Sequence, residues 1–504
     1  MSSLIASSSR ATRMTAAMAV FLAAMLLPLS FTGGVVTTPA ISHALGGSPA
    51  ALTWLTNGFM LTFGSLLLTA GIAADMAGRK RIFIAGLIIF CVSNLFIYLA
   101  QSTAIIGVFR ALQGIAAAMT LAGGSAALAQ LYNGNARTRA FSLLGTMFGA
   151  GLAFGPLLIG LITDVFGWRW VYASMAMLSG IVALTGSAFL PPSEKQPPQK
   201  ADIAGIALFT LALILFTSAV MLLPVYGFLS LPVLALFIAS TLLIRWFVNH
   251  CRKIKHPVFD IALLRSPRFA GVLLLPVATC YCYVVLLIII PLHFMGGDGL
   301  SETQSAFYLL ALTGPMLVFP SLAAFLTRWF TPGAVSATGL ILAAAGLLAL
   351  GQALQGGSIS LLLFSLVIIG AGAALPWGLM DGLAVSAVPV EQAGMAAGLF
   401  NTVRVAGEGI ALAMVTALLV AINHLKLREV AADYSPDVIN DAVNWLGGGN
   451  IDRAADLLPT VSRMLLRESY DSAYTFLFQA LAGMTLVCAF MVWKMLRKNG
   501  HGQT

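Results

Sequence analysis

Fourteen stretches of this chain are too long and too apolar to stand free in water. A helix needs roughly 20 apolar residues to cross about 30 Å of hydrocarbon. Segments of that kind run over 14–42, 51–74, 82–100, 104–131, 140–163, 171–190, 203–222, 228–248, 270–293, 305–327, 333–354, 358–380, 396–422 and 472–494. In hydrocarbon every backbone N–H and C=O must be paired inside the protein, so spans of this length are helices. Composition agrees, with 59% hydrophobic and 9% charged residues among 504, against about 25% charged in a soluble domain. The expected fold is an all-α integral membrane protein with 14 transmembrane helices. The first segment is read as a span, since it is too long for a cleavable leader and no small-residue cleavage site ends a short apolar core.

Fourteen crossings leave both termini on one side, and the basic residues choose that side. With the termini cytoplasmic, 19 of the 27 Lys and Arg residues fall on inner segments and six on outer ones, while Arg110 and Arg404 lie within spans. Five of the outer six sit in the long loop 423–471, leaving only Arg169 in a short outer loop. Positive charge accumulates inside in this way because cytoplasmic loops retain it. The expected arrangement is a multi-pass membrane protein with both termini cytoplasmic. The net charge of +9 is a topology signal with lipid headgroups as its neighbours, so no nucleic acid is expected as a partner.

The spans divide as six, two and six. Residues 1–190 form an N-terminal six-helix bundle and the Pro-rich PPSEKQPPQKAD (191–202) a cytoplasmic linker. Two extra helices occupy 203–248, a second cytoplasmic linker 249–269, and a C-terminal bundle 270–504. The outer loop 423–471 reads as short, solvated surface helices and turns. Two six-helix halves suggest an internal duplication with a site between them near the midplane.

The second and third spans are joined by GIAADMAGRKR, residues 71–81. Gly71 and Gly78 permit close backbone approach and a sharp reversal. Asp75 is placed to pair with a cation on a neighbouring helix end, and Arg79 and Lys80 hold the turn inside. This G-x-x-x-D-x-x-G-R-K/R pattern resembles the loop signature of the major facilitator superfamily. Three further matches follow in order. RALQG (Arg110, Gln113, Gly114) in the fourth span resembles that family's R-x-x-Q-G motif. GLAFGPLLIG (151–160) in the fifth resembles its antiporter motif, with Gly151, Gly155, Pro156 and Gly160 present and Ile159 replacing one glycine. HPVFDIALLRSPRFA (256–270) is similar to the linker of the fourteen-span drug/proton antiporters, the multidrug efflux branch. The resemblance implies the major facilitator fold, two six-helix bundles plus two extra spans, working by alternating access. In the second half the equivalent loop, SLAAFLTRWFTPG (321–333), has Phe325 where an acid would stand and keeps only Arg328. The halves are therefore not expected to gate identically.

Charge within a span is costly and marks function by default. Arg110 lies about 9 Å from the outer end of its span at 1.5 Å per residue, and must face the bundle interior or a water-filled cavity. The resemblance implies a part in proton coupling for it. The first span is the main departure. Aligned on Pro39, LSFTGGVVTTP (29–39) places Ser30 where many relatives carry an aspartate assigned to proton binding or to recognition of cationic drugs. Serine does not titrate, which weakens the reading as an exporter of cationic drugs. Weight shifts to Glu408 in NTVRVAGEGIALAMVTALL (401–419), about 18 Å along its helix from the cytoplasmic end and flanked by Gly407 and Gly409. Arg404 stands at i−4 on the same face. Asp381, in ALPWGLMDG (374–382), is the next candidate. Three roles stand open for Glu408: carrying a proton, holding a substrate, or forming a structural pair with Arg404.

The leading expectation is a proton-coupled exporter of amphipathic small molecules, with the lipid bilayer and protons as partners and a periplasmic adaptor protein as a further candidate. A dedicated exporter of one metabolite, such as a siderophore, is the alternative, and a non-transporting receptor or scaffold is the reading of another class. No cofactor or enzyme activity is expected: the six histidines are scattered, and there is no G-x-x-x-x-G-K-S/T phosphate loop. The five cysteines suit packed thiols better than a disulfide framework, and the C-x-C at Cys280 and Cys282 reads as packed thiols ahead of a metal site. His43 and His293 fall near outer helix ends and read as interfacial.

Overall fold

The computed structural model describes residues 10–132, 134–192, 202–227, 230–254, 261–356, 358–388, 393–431, 433–447 and 449–497. Most of the Pro-rich linker (193–201) and residues 255–260 of the second linker, which carry HPVFD, lie outside the described residues. Among the described residues fourteen helices are long and apolar enough to cross a membrane, the number expected. In chain order they are α1 (Arg10–Leu45), α2 (Pro49–Ala77), α3 (Arg79–Tyr98), α4 (Thr103–Leu131), α5 (Gly134–Phe166), α6 (Trp168–Phe189), α7 (Ile203–Tyr226) and α8 (Leu231–Lys253). Next comes α9, formed by Pro267–Thr279 and Leu286–Gly297 around a π turn at Cys280–Val284. In α10, Glu302–Thr313 and Phe319–Leu326 flank the 3-10 turn Gly314–Leu317. Then follow α11 (Pro332–Gly356), α12 (Ile359–Ser386) and α13 (Ala393–Val430), two loop helices α14 (Pro436–Gly447) and α15 (Ile451–Leu457), and the last span, α16 (Arg463–Leu496). Fourteen successive crossings put the start of α1 and the end of α16 on one face, the terminal face; the other is the distal face.

Helix starts follow their sequence signals. The hydroxyls of Ser48, Ser102, Ser358 and Ser462 each accept a backbone N–H in the first turn of α2, α4, α12 and α16. Such caps satisfy donors that a helix end leaves unpaired.

In the first bundle α1 packs on α5 and α6, α2 on α4, and α3 on α4 and α6. The second bundle repeats the set: α9 on α13 and α16, α10 on α12, and α11 on α12 and α16. The same neighbours in the same order are the signature of a duplicated unit. The bundles meet where α2 lies on α13, α5 on α10 and α12, and α1 on α9. Of the most apolar window of α9, 89% is buried, against 17% for α8, so α9 is a central post and α8 faces lipid. The extra helix α7 touches both α2 and α13, with Leu61, Val220, Met221 and Ala413 forming one apolar cluster across that seam.

The distal loop departs from expectation. Spans α13 and α16 extend into 423–471, and α14 and α15 are packed rather than solvated. Ile439, Ala442, Val443, Leu446, Ile451 and Ala454 join the main core. The sequence shows the reason after the fact: in α14 apolar residues recur at positions 439, 442, 443 and 446, a one-sided helical stripe.

Close packing at the α2–α13 seam depends on Gly64, where a β-carbon would stand 2.6 Å from Ala406 Cα. Gly64→Val should cost about 2 kcal/mol through overpacking, read as a lower melting temperature of the purified protein in detergent. Gly71→Ala meets nothing within 4 Å and should leave the melting temperature unchanged.

Candidate functional site

The loop signature folds as a tight reversal between α2 and α3. Gly78 ends one helix and begins the next with φ 105°, a region that favours glycine. Asp75 pairs with Arg79 at 3.1 Å, while Arg79 reaches the Ala126 carbonyl and Lys80 donates to the Leu190 carbonyl at 2.6 Å. The loop thus ties α2, α3, α4 and α6 together on the terminal face. Gly71 differs from expectation: a β-carbon there would meet nothing within 4 Å, so the sharp turn rests on Gly78.

Arg110 is fully buried, and Ser30 is one of its partners. Its Nε donates to the Leu55 carbonyl at 2.8 Å, and one terminal nitrogen donates to Gln113 Oε1 at 2.8 Å, the Ser30 carbonyl at 3.0 Å and Ser30 Oγ at 3.2 Å. The guanidinium also lies 4.7 Å from the Phe59 ring centroid. Its other terminal nitrogen has no partner, and no carboxylate pairs with it among the described residues. A β-carbon on Gly34 would stand 2.2 Å from that nitrogen, so glycine makes the room. Neutral acceptors on three helices hold the cation where the sequence comparison placed an acid.

The glycines of α5 serve two different seams. Gly151 and Gly155 face α1 in the same bundle, where β-carbons would stand 2.3 Å from the Met25 carbonyl oxygen and 2.2 Å from Thr32 Oγ1. Gly145 and Gly149 face α12 of the other bundle, at 2.8 Å from Asp381 Oδ2 and 3.5 Å from Trp377 Nε1. Pro156 lines a distal cleft between bundles with Val35, Val36 and Pro291, and Gly160 is buried.

Two polar layers lie where α5, α9, α12 and α13 converge. In the layer nearer the terminal face, Arg404 pairs with Asp381 at 3.1 Å and donates to Asn401 at 2.6 Å. Its guanidinium lies 4.8 Å from the centroid of Phe148, a residue of α5. A narrow cleft of about 10 Å³ opens onto Asp381, Asn401, Arg404 and Gly145, room for about one water. Of the three roles left open for Glu408, the pair with Arg404 is not formed among the described residues: Asp381 reaches Arg404 across the α12–α13 contact. One helical turn deeper, about 6 Å on each helix, Gly149, Trp377 and Glu408 replace Gly145, Asp381 and Arg404. Glu408 is 2% exposed and its Oε1 has no hydrogen-bond partner among the described residues. Cys280, on the π turn of α9, lies beside it, its Sγ 3.8 Å from the Arg404 carbonyl oxygen. In the same turn Tyr283 meets Trp377 edge to face at 6.2 Å. Neither Tyr283 Oη nor Trp377 Nε1 has a partner among the described residues. The sequence reading passed over both rings; Trp377 sits at i−4 from Asp381 inside the quoted ALPWGLMDG, and that spacing was the available signal.

A second cluster was also missed. His293, expected at the interface, is 3% exposed. Its Nε2 lies 2.8 Å from Asp471 and its Nδ1 4.0 Å from Asp298. Tyr470 stacks on it at 5.3 Å, and Arg467 binds Asp298, so α9 and α16 are tied at the distal face. Among the described residues no group of three or more His, Cys, Asp or Glu is arranged to hold a metal, and Cys280 and Cys282 are buried packed thiols.

Two similar six-helix bundles, meeting around buried charge in a multi-pass membrane fold, define a membrane transporter. Residues 20–412 match the profile of the Major Facilitator Superfamily, and the chain belongs to that family. It is 28% identical over 411 residues to the Tetracenomycin C resistance and export protein of Streptomyces glaucescens, covering 80% of this chain and 75% of that one. Over 410 residues it is 27% identical to the drug efflux pump JefA of Mycobacterium tuberculosis, covering 81% and 80%. In fold it matches an inward-facing bacterial homolog of the human lysosomal transporter Spinster with a TM-score of 0.67 and 16% identity, over 99% of this chain and all of that one.

Removing one partner of a buried pair leaves an uncompensated charge, at a cost on the order of 3 kcal/mol. Arg404→Gln and Asp381→Asn should each lower the melting temperature, and the double variant should recover most of the loss. At the other cation, Ser30→Asp would place a carboxylate where Ser30 Oγ now lies, 3.2 Å from Arg110, and should raise the melting temperature.

Proposed function

We propose that the chain is a proton-coupled exporter of amphipathic small molecules in a bacterial cytoplasmic membrane, with its termini and the loop signature cytoplasmic. The bundles of 1–190 and 270–504 rock about the midplane, exposing the polar layers alternately to either side. The observation that carries the reading is Glu408. It is a buried carboxylate with an unpartnered oxygen, and the cation one turn away is already engaged by Asp381. A carboxylate free of a fixed counter-ion can take up and release a proton as access changes, whereas one locked to arginine cannot. The export direction is supported by the names of two relatives, one a resistance and export protein and one a drug efflux pump. A dedicated exporter of one metabolite is the second reading, favoured by the single compound named in the Streptomyces glaucescens relative.

The test is Glu408→Gln in membrane vesicles under an imposed pH gradient. The variant should lose gradient-driven substrate movement and keep substrate counterflow without a gradient. Loss of both would move Glu408 from coupling to substrate binding. Full retention of pH-driven movement would remove it from either role and direct the same measurement to Asp381→Asn.

A further inference from the structure

The deeper polar layer also bears on what is carried. Tyr283 and Trp377 are 0% and 3% exposed, and each has a donor with no partner among the described residues. A buried donor without an acceptor costs the full desolvation of that group, about 1–3 kcal/mol. If these rings only filled space, phenylalanine would do so without that cost. Their surroundings indicate a use. Trp377 Nε1 faces α5 of the other bundle, where a β-carbon on Gly149 would stand 3.5 Å away. A motion that draws α5 from α12 would widen that contact. Tyr283 sits at the edge of that indole on a π turn, a local distortion that recurs at functional sites. Glu408 adds an acceptor or a donor at the same depth, according to its protonation.

We infer that Tyr283 and Trp377 form a recognition site for planar aromatic compounds bearing carbonyl or phenolic oxygens. The two rings offer apolar faces and edges to a flat ligand, and the phenol O–H and indole N–H supply donors to its oxygens. This deepens the reading of the chain as an exporter and rests on it for the direction of transport. Recognition itself is a binding property that an equilibrium measurement sees without any gradient.

The test uses the full-length protein in lipid nanodiscs with two planar probes: 1,8-dihydroxyanthraquinone, which carries carbonyl and phenolic oxygens, and ethidium, which carries none. Tyr283→Phe keeps the ring and removes its donor; Trp377→Phe removes the indole donor and leaves a smaller ring. Each should weaken anthraquinone binding about three- to tenfold, and Tyr283→Phe should leave ethidium binding unchanged. The melting temperature of the unliganded Tyr283→Phe protein should hold or rise, because an unpaired donor has gone, whereas Trp377→Phe also leaves a cavity. Unchanged anthraquinone affinity in both variants would overturn the proposal, as would no measurable anthraquinone binding by the unmutated protein. A fall in the Tyr283→Phe melting temperature that tracks its affinity loss would assign the phenol to structure instead. Vesicle transport of the same anthraquinone tests the export reading separately, so failure of export with intact binding leaves the recognition site standing.

Discussion

Hydrocarbon offers no hydrogen bonds, so a polar group inside the spans must look to another part of the chain for its partner. That constraint makes the spans helical and puts serines at their starts. It also sends threonine hydroxyls back to their own helix, as Thr37 does to the Gly33 carbonyl at 2.6 Å. Against so thorough an accounting, the groups left over carry information. Arg110, Glu408, Tyr283 and Trp377 are among the buried groups that keep an unpartnered atom among the described residues, as are Ser65, Asn94, Thr217 and Asn423, and the first four include the largest side chains and the one acid of that set. Those four lie on the central helices α4, α9, α12 and α13, rather than on lipid-facing α8.

The ion pair next to this set gives it direction. Arg404 and Asp381 belong to adjacent helices of one bundle, yet the Phe148 ring and the Gly145 notch of the other bundle close over them. The pair therefore works as a joint between bundles, seated on α5 from the terminal face. On the distal face a different contact joins them, from Thr303 on α10 to Asp164 on α5. One helix of the first bundle, α5, takes part in both closures. Separating α5 from α12 while it stays on α10 would open the terminal side alone, and the reverse would open the distal side.

The span count, the family and the four motifs were legible in the sequence because they rest on hydropathy and local spacing. The charges at Glu408, Arg404 and Arg110 were legible because intramembrane charge is rare. What could not be read was who meets whom. Arg404 and Glu408 share a helix face at i, i+4, so a structural pair was one of the roles left open; Asp381 instead reaches Arg404 from 23 residues away. His293 and Asp471 lie 178 residues apart and meet only because α9 and α16 are neighbours. The loop glycines divided for a similar reason: Gly78 answers to local backbone geometry, which sequence shows, whereas the approach expected at Gly71 needed a neighbour that the fold does not supply.

The extra helices complicate a motion of two halves. Helix α7 packs on α2 of the first bundle and α13 of the second, and α8 packs on α7. Thr69 of α2 meets Thr210 of α7 hydroxyl to hydroxyl at 2.8 Å, whereas the contact with α13 runs through apolar residues such as Ala413. A hydrogen bond fixes register; an apolar contact can slide by small steps with little change in energy, since dispersion is not directional. A motion that kept the Thr69–Thr210 bond would carry α7 and α8 with the first bundle. Glu408 lies on α13, one turn from the Arg404–Asp381 pair, so a slide of α13 along that seam would change its depth relative to α2.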